Sequence, residues 1–142
     1  MEDHLSLALR SLPHGPEFRF LDRLVQLEPG VCGQGEYLVR GDEHFLRGHF
    51  PNEPMMPGVL MVEAIAQLAG AVAQSDPAHA PFPALRLTAL RAVKILGAAI
   101  PGQKLVINAR ITGRLGNLIQ ARGTVELNDT AIVEAEVTLS GS

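Results

Sequence analysis

The sequence predicts an α+β fold in which an antiparallel sheet packs around one long helix. An almost wholly apolar segment, residues 58 to 73 or 74, predicts a helix that is buried on all sides. After it, three segments alternate apolar and polar residues with period two, which is typical of antiparallel strands with one solvent-facing side. Before it, two strand-like segments joined by Pro29-Gly30 predict a hairpin.

The elements before the long helix are short. Residues 5–12 are predicted to form one or two helical turns, which the proline- and glycine-rich residues 13–16 end. Strands are expected over residues 20–28 and 31–40. Residues 41–57 contain closely spaced histidines and prolines and are predicted to be irregular.

The C-terminal third is predicted to be a loop followed by strands. Residues 75–83 contain three prolines and should form the loop, and residues 85–96 should form a strand. Three alternating strands follow, with turns at Pro101-Gly102, Gly116-Asn117 and Asn128-Asp129. Together these segments predict a meander of three or four strands.

Composition narrows the functional classes. The chain has 142 residues, a formal net charge of −3 and one cysteine, and we expect a single domain over residues 1–142. The sequence contains no run of basic residues, which would be expected of a protein that binds nucleic acid. The acidic N-terminus does not resemble a secretory signal, so the expected location is the cytoplasm. Residues 54–75 are apolar enough to be considered as a membrane-spanning helix. Two prolines and Glu63 within this segment favour a buried helix of a globular protein instead.

Three features could carry chemistry. Glu63 is a lone carboxylate on the apolar helix, so it must either find polar partners or become protonated. Gln67 lies four residues later on the same face of the helix, where its side chain could form a hydrogen bond with the Glu63 carboxyl group. His49 is a candidate base in a loop between glycine and proline. The helix start at Gly58 and Val59 offers free N–H groups for an oxyanion. The ordinary alternatives are a Glu63 that pairs with an arginine or lies at a solvated edge, a histidine that is no more significant than the other four, and a plain helix start.

The segment that contains these residues resembles a known family signature. It reads His49-Phe-Pro-Asn-Glu-Pro-Met-Met-Pro-Gly-Val-Leu-Met-Val-Glu63-Ala-Ile-Ala-Gln67, and it is similar to the signature of bacterial 3-hydroxyacyl-[acyl-carrier-protein] dehydratases of fatty-acid synthesis. The Leu12-Pro13-His14, Glu28-Pro29-Gly30 and Ile100-Pro101-Gly102 segments extend the resemblance along most of the chain.

The resemblance implies a hot-dog fold, an antiparallel sheet wrapped around one long central helix, in a homodimer or a trimer of dimers. It also implies that His49 acts at the substrate C2, that Glu63 assists loss of the C3 hydroxyl, and that the Gly58 N–H binds the thioester carbonyl. In the family the histidine and the glutamate of one site come from different subunits. Neither a metal nor an organic cofactor is implied.

The substrate carrier and two other functions stay open. Asn52 stands where the family usually has a small residue, and residues 93–97 contain fewer cations than the family tends to have. Because acyl carrier protein is acidic, a coenzyme A thioester or a specialised carrier is the alternative to the usual carrier protein. The other functions are a hot-dog acyl thioesterase, with a carboxylate that activates water, and a non-catalytic acyl-binding protein.

Overall fold

The computed structural model describes residues 3–48 and 52–142. The helices are α1 (His4–Arg10), α2 (His44–Gly48) and α3 (Gly58–Gln74), with a 3₁₀ turn at Pro16–Phe18. The strands are β1 (Arg23–Glu28), β2 (Cys32–Leu38), β3 (Leu85–Ile95), β4 (Lys104–Leu115), β5 (Leu118–Leu127) and β6 (Thr130–Gly141).

The six strands form one sheet in the order β1-β2-β4-β5-β6-β3, and every neighbouring pair is antiparallel. Helix α3 packs on one face of this sheet, against β2, β3, β4, β5 and β6. The opposite face carries the polar residues of the alternating pattern. A long helix held in one antiparallel sheet is the hot-dog fold, so the predicted α+β class is confirmed.

The sheet approaches α3 closely because small residues line it. A Cβ atom at Gly123 would lie 2.4 Å from the Ile65 side chain, and one at Gly33 would lie 2.9 Å from the Val72 side chain. Contacts below 3 Å are not tolerated in a packed interior. The helix is buried nearly all round, as its sequence predicts, at Met61, Val62, Ala64, Ile65, Ala66, Gln67, Leu68, Ala69, Ala71, Val72 and Ala73.

Strand β3 lies at an edge of the sheet, next to β6. It does not pair with β4, as the first strand of a four-strand meander would. It pairs with β6, from Leu85 opposite Gly141 to Ile95 opposite Val133. Only β4, β5 and β6 form the meander, so the three-strand alternative is the correct one. Asn128 and Asp129 have φ of 51° and 65° in the tight turn between β5 and β6, as their residue types favour.

Two predicted strand boundaries were wrong because a side chain takes the backbone N–H group concerned. Strand β1 begins at Arg23 rather than residue 20, since the Phe20 N–H donates to Gln67. Strand β2 ends at Leu38 rather than residue 40, since the Arg40 N–H donates to Glu43. The segment 41–57 is not wholly irregular, because α2 forms directly after Glu43.

None of the helices in the described part of the chain combines the length and the apolar character that a bilayer crossing requires.

Candidate active site

Glu63 and Gln67 lie side by side on the wall of a cavity of about 600 Å³. Helix α3 forms one side of this cavity, and the segment 11–14, the loop 81–84 and strand β3 form the others. His49, the predicted base, lies outside the described residues.

Glu63 is not isolated. Its side chain is 18% exposed, and the Gln67 Nε2 atom donates a hydrogen bond of 3.0 Å to its Oε2. This confirms the contact that the four-residue spacing predicted. Within the described residues, the contacts of the carboxyl group come from Gln67 and from His14, and both fall on Oε2. Oε1 receives neither of these two contacts.

Gln67 is fixed by the main chain on its other side. The side chain is 2% exposed, its Oε1 accepts from the Phe20 N–H at 2.9 Å, and its Nε2 donates to the Phe18 carbonyl at 2.8 Å. The Phe20 N–H needs an acceptor, so the oxygen of the Gln67 amide, and not its nitrogen, must face Phe20. Gln67 thus presents a donor, rather than an acceptor, to Glu63.

His14 belongs to the site and was not among the predicted site residues. Its Nε2 lies 3.4 Å from Glu63 Oε2, and its side chain is 28% exposed. Its Nδ1 is buried and has no hydrogen-bond partner within residues 3–48 and 52–142. The Phe18 ring stacks on the imidazole, with ring centres 6.3 Å apart. The imidazole is therefore held against the carboxyl group by packing.

Gly58 and Val59 lie apart from this cavity, since neither is among the residues that line it. They occupy the first turn of α3, where the N–H groups have no partner within the helix. A Cβ atom at Gly58 would lie 2.7 Å from the Ile95 side chain, so the helix start packs closely on the end of β3. The Val59 side chain is 68% exposed. One copy of the chain does not bring these N–H groups to Glu63.

A second polar cluster, formed by Tyr37, Arg40, Gly41 and Glu43, fixes the chain just before α2 and His49. The Glu43 carboxylate accepts from the Gly41 N–H at 2.7 Å, the Arg40 N–H at 3.0 Å and the Tyr37 hydroxyl at 2.8 Å. Burial opposes ionisation of Glu43, but these hydrogen bonds outweigh it and lower the pKa of that carboxyl. Burial and the bond to Glu43 raise the pKa of Tyr37 far above its ordinary value.

Within the described ranges, 3–48 and 52–142, the histidine, cysteine and acidic side chains form no group of three that could hold a metal ion.

Comparison with known proteins decides the family. The family model described as a FabA-like domain matches residues 12–136 of this chain. The chain belongs to the FabA-like family. The match includes every residue that lines the cavity except Ser11 and Leu139.

The similarity of this chain to individual proteins is consistent with this family assignment. It is 36% identical over 139 residues to the 3-hydroxyacyl-[acyl-carrier-protein] dehydratase FabZ of Psychrobacter arcticus, with 91% of this chain and 90% of that protein covered. It is 51% identical over 69 residues to the FabZ protein of Chloroflexus aggregans, a match that takes in 49% of this chain and 48% of that protein.

A solved structure supports the fold. The dehydratase heterocomplex ApeI:P from Xenorhabdus doucetiae contains a chain that superposes with a TM-score of 0.77 at 18% identity. The superposition covers 95% of this chain and 90% of that one. At this identity the likeness establishes the hot-dog fold alone.

Proposed function

We propose that this chain is a dehydratase that converts a 3-hydroxyacyl thioester to the trans-2-enoyl thioester. The observation that carries the proposal is a glutamate held by Gln67 and His14 on the wall of a mostly apolar cavity. Such a cavity suits an acyl chain, and the fixed carboxyl suits a reaction at one defined carbon of that chain.

The reaction divides between two side chains. A base removes the proton from C2, and the electron pair passes to the thioester oxygen and then forms the C2–C3 double bond. The C3–O bond breaks, and the hydroxyl leaves as water after it receives a proton. We assign the base to His49 and the proton donor to Glu63. The position of Glu63 on the cavity wall, with its carboxyl held through Oε2 by Gln67 and His14, supports its part in this assignment.

We further propose that the working unit is a homodimer in which His49 and Gly58 of one subunit meet Glu63 of the other. The separation of the Gly58 N–H from the cavity that holds Glu63 supports a shared site. Strand β3 lies at the sheet edge and exposes the large apolar side chains Leu90, Val93 and Ile95. An apolar edge strand is a ready surface for pairing with a second copy.

For the carrier, we propose acyl carrier protein, the carrier in the names of the FabZ relatives. The chain carries more acidic than basic residues, which does not favour attraction of that acidic protein. The net charge is −3, and Arg91 on β3 already pairs with Glu136 at 2.9 Å. The carrier is therefore tested separately from the reaction.

The decisive assay supplies purified protein with 3-hydroxyacyl and trans-2-enoyl thioesters, on acyl carrier protein and on coenzyme A in parallel. Interconversion of the two acyl forms is the expected result. Release of free thiol would identify a thioesterase instead, and absence of turnover on both carriers would identify an acyl-binding protein. Faster turnover of the coenzyme A thioester would overturn the choice of carrier and leave the reaction standing.

The shared site has its own test. We expect His49→Ala and Glu63→Gln each to abolish most activity, and a mixture of the two, after subunit exchange, to regain part of it. Exchange can be followed by labelling the two variants with different fluorophores. Exchange without any recovery of activity would refute the shared site, whereas the dehydratase assignment depends on the wild-type assay alone.

A further inference from the structure

The cavity is a groove that follows one face of α3. Five residues of the helix line it: Glu63, Ala66, Gln67, Gly70 and Gln74. Glu63, Gln67, Gly70 and Gln74 follow one another at spacings of four, three and four residues, which places them in one row on the helix, with Ala66 beside it. The middle of this lining is small, at Ala66 and Gly70, and this leaves room for a chain to lie along the helix. Glu63 stands near one end of the groove and Gln74 near the other.

The Gln74 end of the groove is tied to the proline-rich loop. The Gln74 Nε2 atom donates to the Phe82 carbonyl at 2.9 Å, and its Oε1 accepts from the Phe82 N–H at 3.0 Å. One side-chain amide thus binds both main-chain groups of a single residue. Pro81 and Pro83 flank that residue and restrict its backbone further. These contacts fix where the Phe82 ring can lie.

The Phe82 ring is packed from two further sides. A Cβ atom at Gly141 would lie 2.4 Å from the ring, so the ring rests directly on the end of β6. The Arg114 guanidinium lies 5.4 Å from the ring centre, within cation–π distance. A ring held by Gln74, Gly141 and Arg114 cannot swing aside without loss of these contacts.

We propose that Phe82, held in place by Gln74, closes the far end of the groove and sets the upper limit on acyl-chain length. The inference rests on the proposed function, since it takes Glu63 as the position of the reacting C3. It assigns to Phe82 the determination of specificity and gives it no part in the chemical step.

The geometry gives the limit. Glu63 and Gln74 are eleven residues apart, which is about 16 Å along a helix. The contact radius of the ring takes about 4 Å of this length. With C–C bonds near 1.5 Å, an extended chain advances about 1.3 Å per carbon, so roughly nine carbons fit beyond C3. The longest chain that is accommodated without displacing Phe82 therefore has about twelve carbons.

The test measures kcat/KM for trans-2-enoyl-[acyl-carrier-protein] substrates of increasing length, from four to sixteen carbons. For the wild type we expect a drop of about tenfold or more between twelve and sixteen carbons, of the size that steric exclusion in an apolar pocket produces. In Phe82→Ala we expect the ratio of sixteen- to eight-carbon activity to rise about tenfold, with four- and six-carbon activity unchanged. Gln74→Leu should shift the profile in the same direction, by less.

A matched control is Leu127→Ala, which removes a partly buried apolar side chain that does not line the groove. Its length profile should equal that of the wild type. If Phe82→Ala does not fold, as judged by its thermal transition, Phe82→Leu replaces it, with a smaller expected shift in the same direction.

The outcomes separate the inference from the function on which it rests. Wild-type turnover with no drop beyond twelve carbons, or with a drop that a folded Phe82 variant leaves in place, overturns the role of Phe82 while the dehydratase assignment stands. Absence of turnover at every length overturns the proposed function itself.

Discussion

Replacement of Gln67 by leucine tests whether the Glu63 carboxyl needs a fixed orientation. The change keeps a similar volume but removes three hydrogen bonds, one to Glu63 and two to the main chain of residues 18 and 20. Both stability and activity should respond, and by different amounts.

The stability cost follows from the groups that lose a partner. Phe20 is 1% exposed, so water cannot replace Gln67 at its N–H. Phe18 is largely exposed, and its carbonyl can be hydrated. One stranded buried donor costs about 1–3 kcal/mol. For a chain of this size we expect Tm to fall by roughly 4 °C for each kcal/mol, as measured by calorimetry.

The activity cost has a different origin. Without Gln67, the contact with His14 is the one that remains to Glu63 among the described residues, and the glutamate side chain can take other rotamers. Displacement of a reacting group by about 1 Å can cost as much as a hundredfold in rate. We therefore expect kcat for dehydration to fall between tenfold and a hundredfold, measured well below the lowered Tm so that the protein is folded.

A matched control is Gln34→Leu. Gln34 donates a 2.9 Å hydrogen bond to Asn108 on the sheet and does not line the cavity. It should lose some stability and no activity. The reasoning is refuted if Gln67→Leu retains wild-type kcat despite its lowered Tm, or if both variants lose activity equally.

Three further predictions concern neighbouring features. His14→Ala should lower kcat about tenfold and leave KM nearly unchanged, because His14 acts through Glu63; His79→Ala, on the exposed loop, should change neither. Glu43→Gln should cost about 1.5–3 kcal/mol near neutral pH. Because folding lowers the pKa of Glu43, its ionised form stabilises the fold, so the Tm difference from wild type should shrink as pH falls below 4.5. Gly70→Ala should stabilise α3 by about 1 kcal/mol, seen as a raised Tm, and yet lower kcat/KM for long acyl chains, since it fills the groove.

Local sequence signals predicted α3 and its pair of polar residues well. The helix is apolar on all faces and bounded by Pro57 and Ser75, so its limits could be read from the sequence. The Glu63–Gln67 contact follows from helical spacing alone. Such contacts between near neighbours require no knowledge of the tertiary fold.

Contacts between distant segments could not be predicted in this way. His14 reaches Glu63 from a segment between Pro13 and Gly15, and nothing in that segment marks its partner. The pairing of β3 with β6 rather than β4 likewise depends on how the sheet closes around α3. Helix α2 was missed because a helix of five residues is too short to show a helical period in the sequence.

The central claim is that Glu63 takes part in dehydration, and Glu63→Gln tests it most directly. The measurement is the rate of interconversion of 3-hydroxyacyl and trans-2-enoyl thioesters, with Glu17→Gln, an exposed carboxylate away from the cavity, as the control. We predict a loss of 10²–10⁴-fold for Glu63→Gln, the usual contribution of a general acid, with little change in Tm and with no loss in the control. A folded Glu63→Gln protein with activity near that of the wild type would contradict the account.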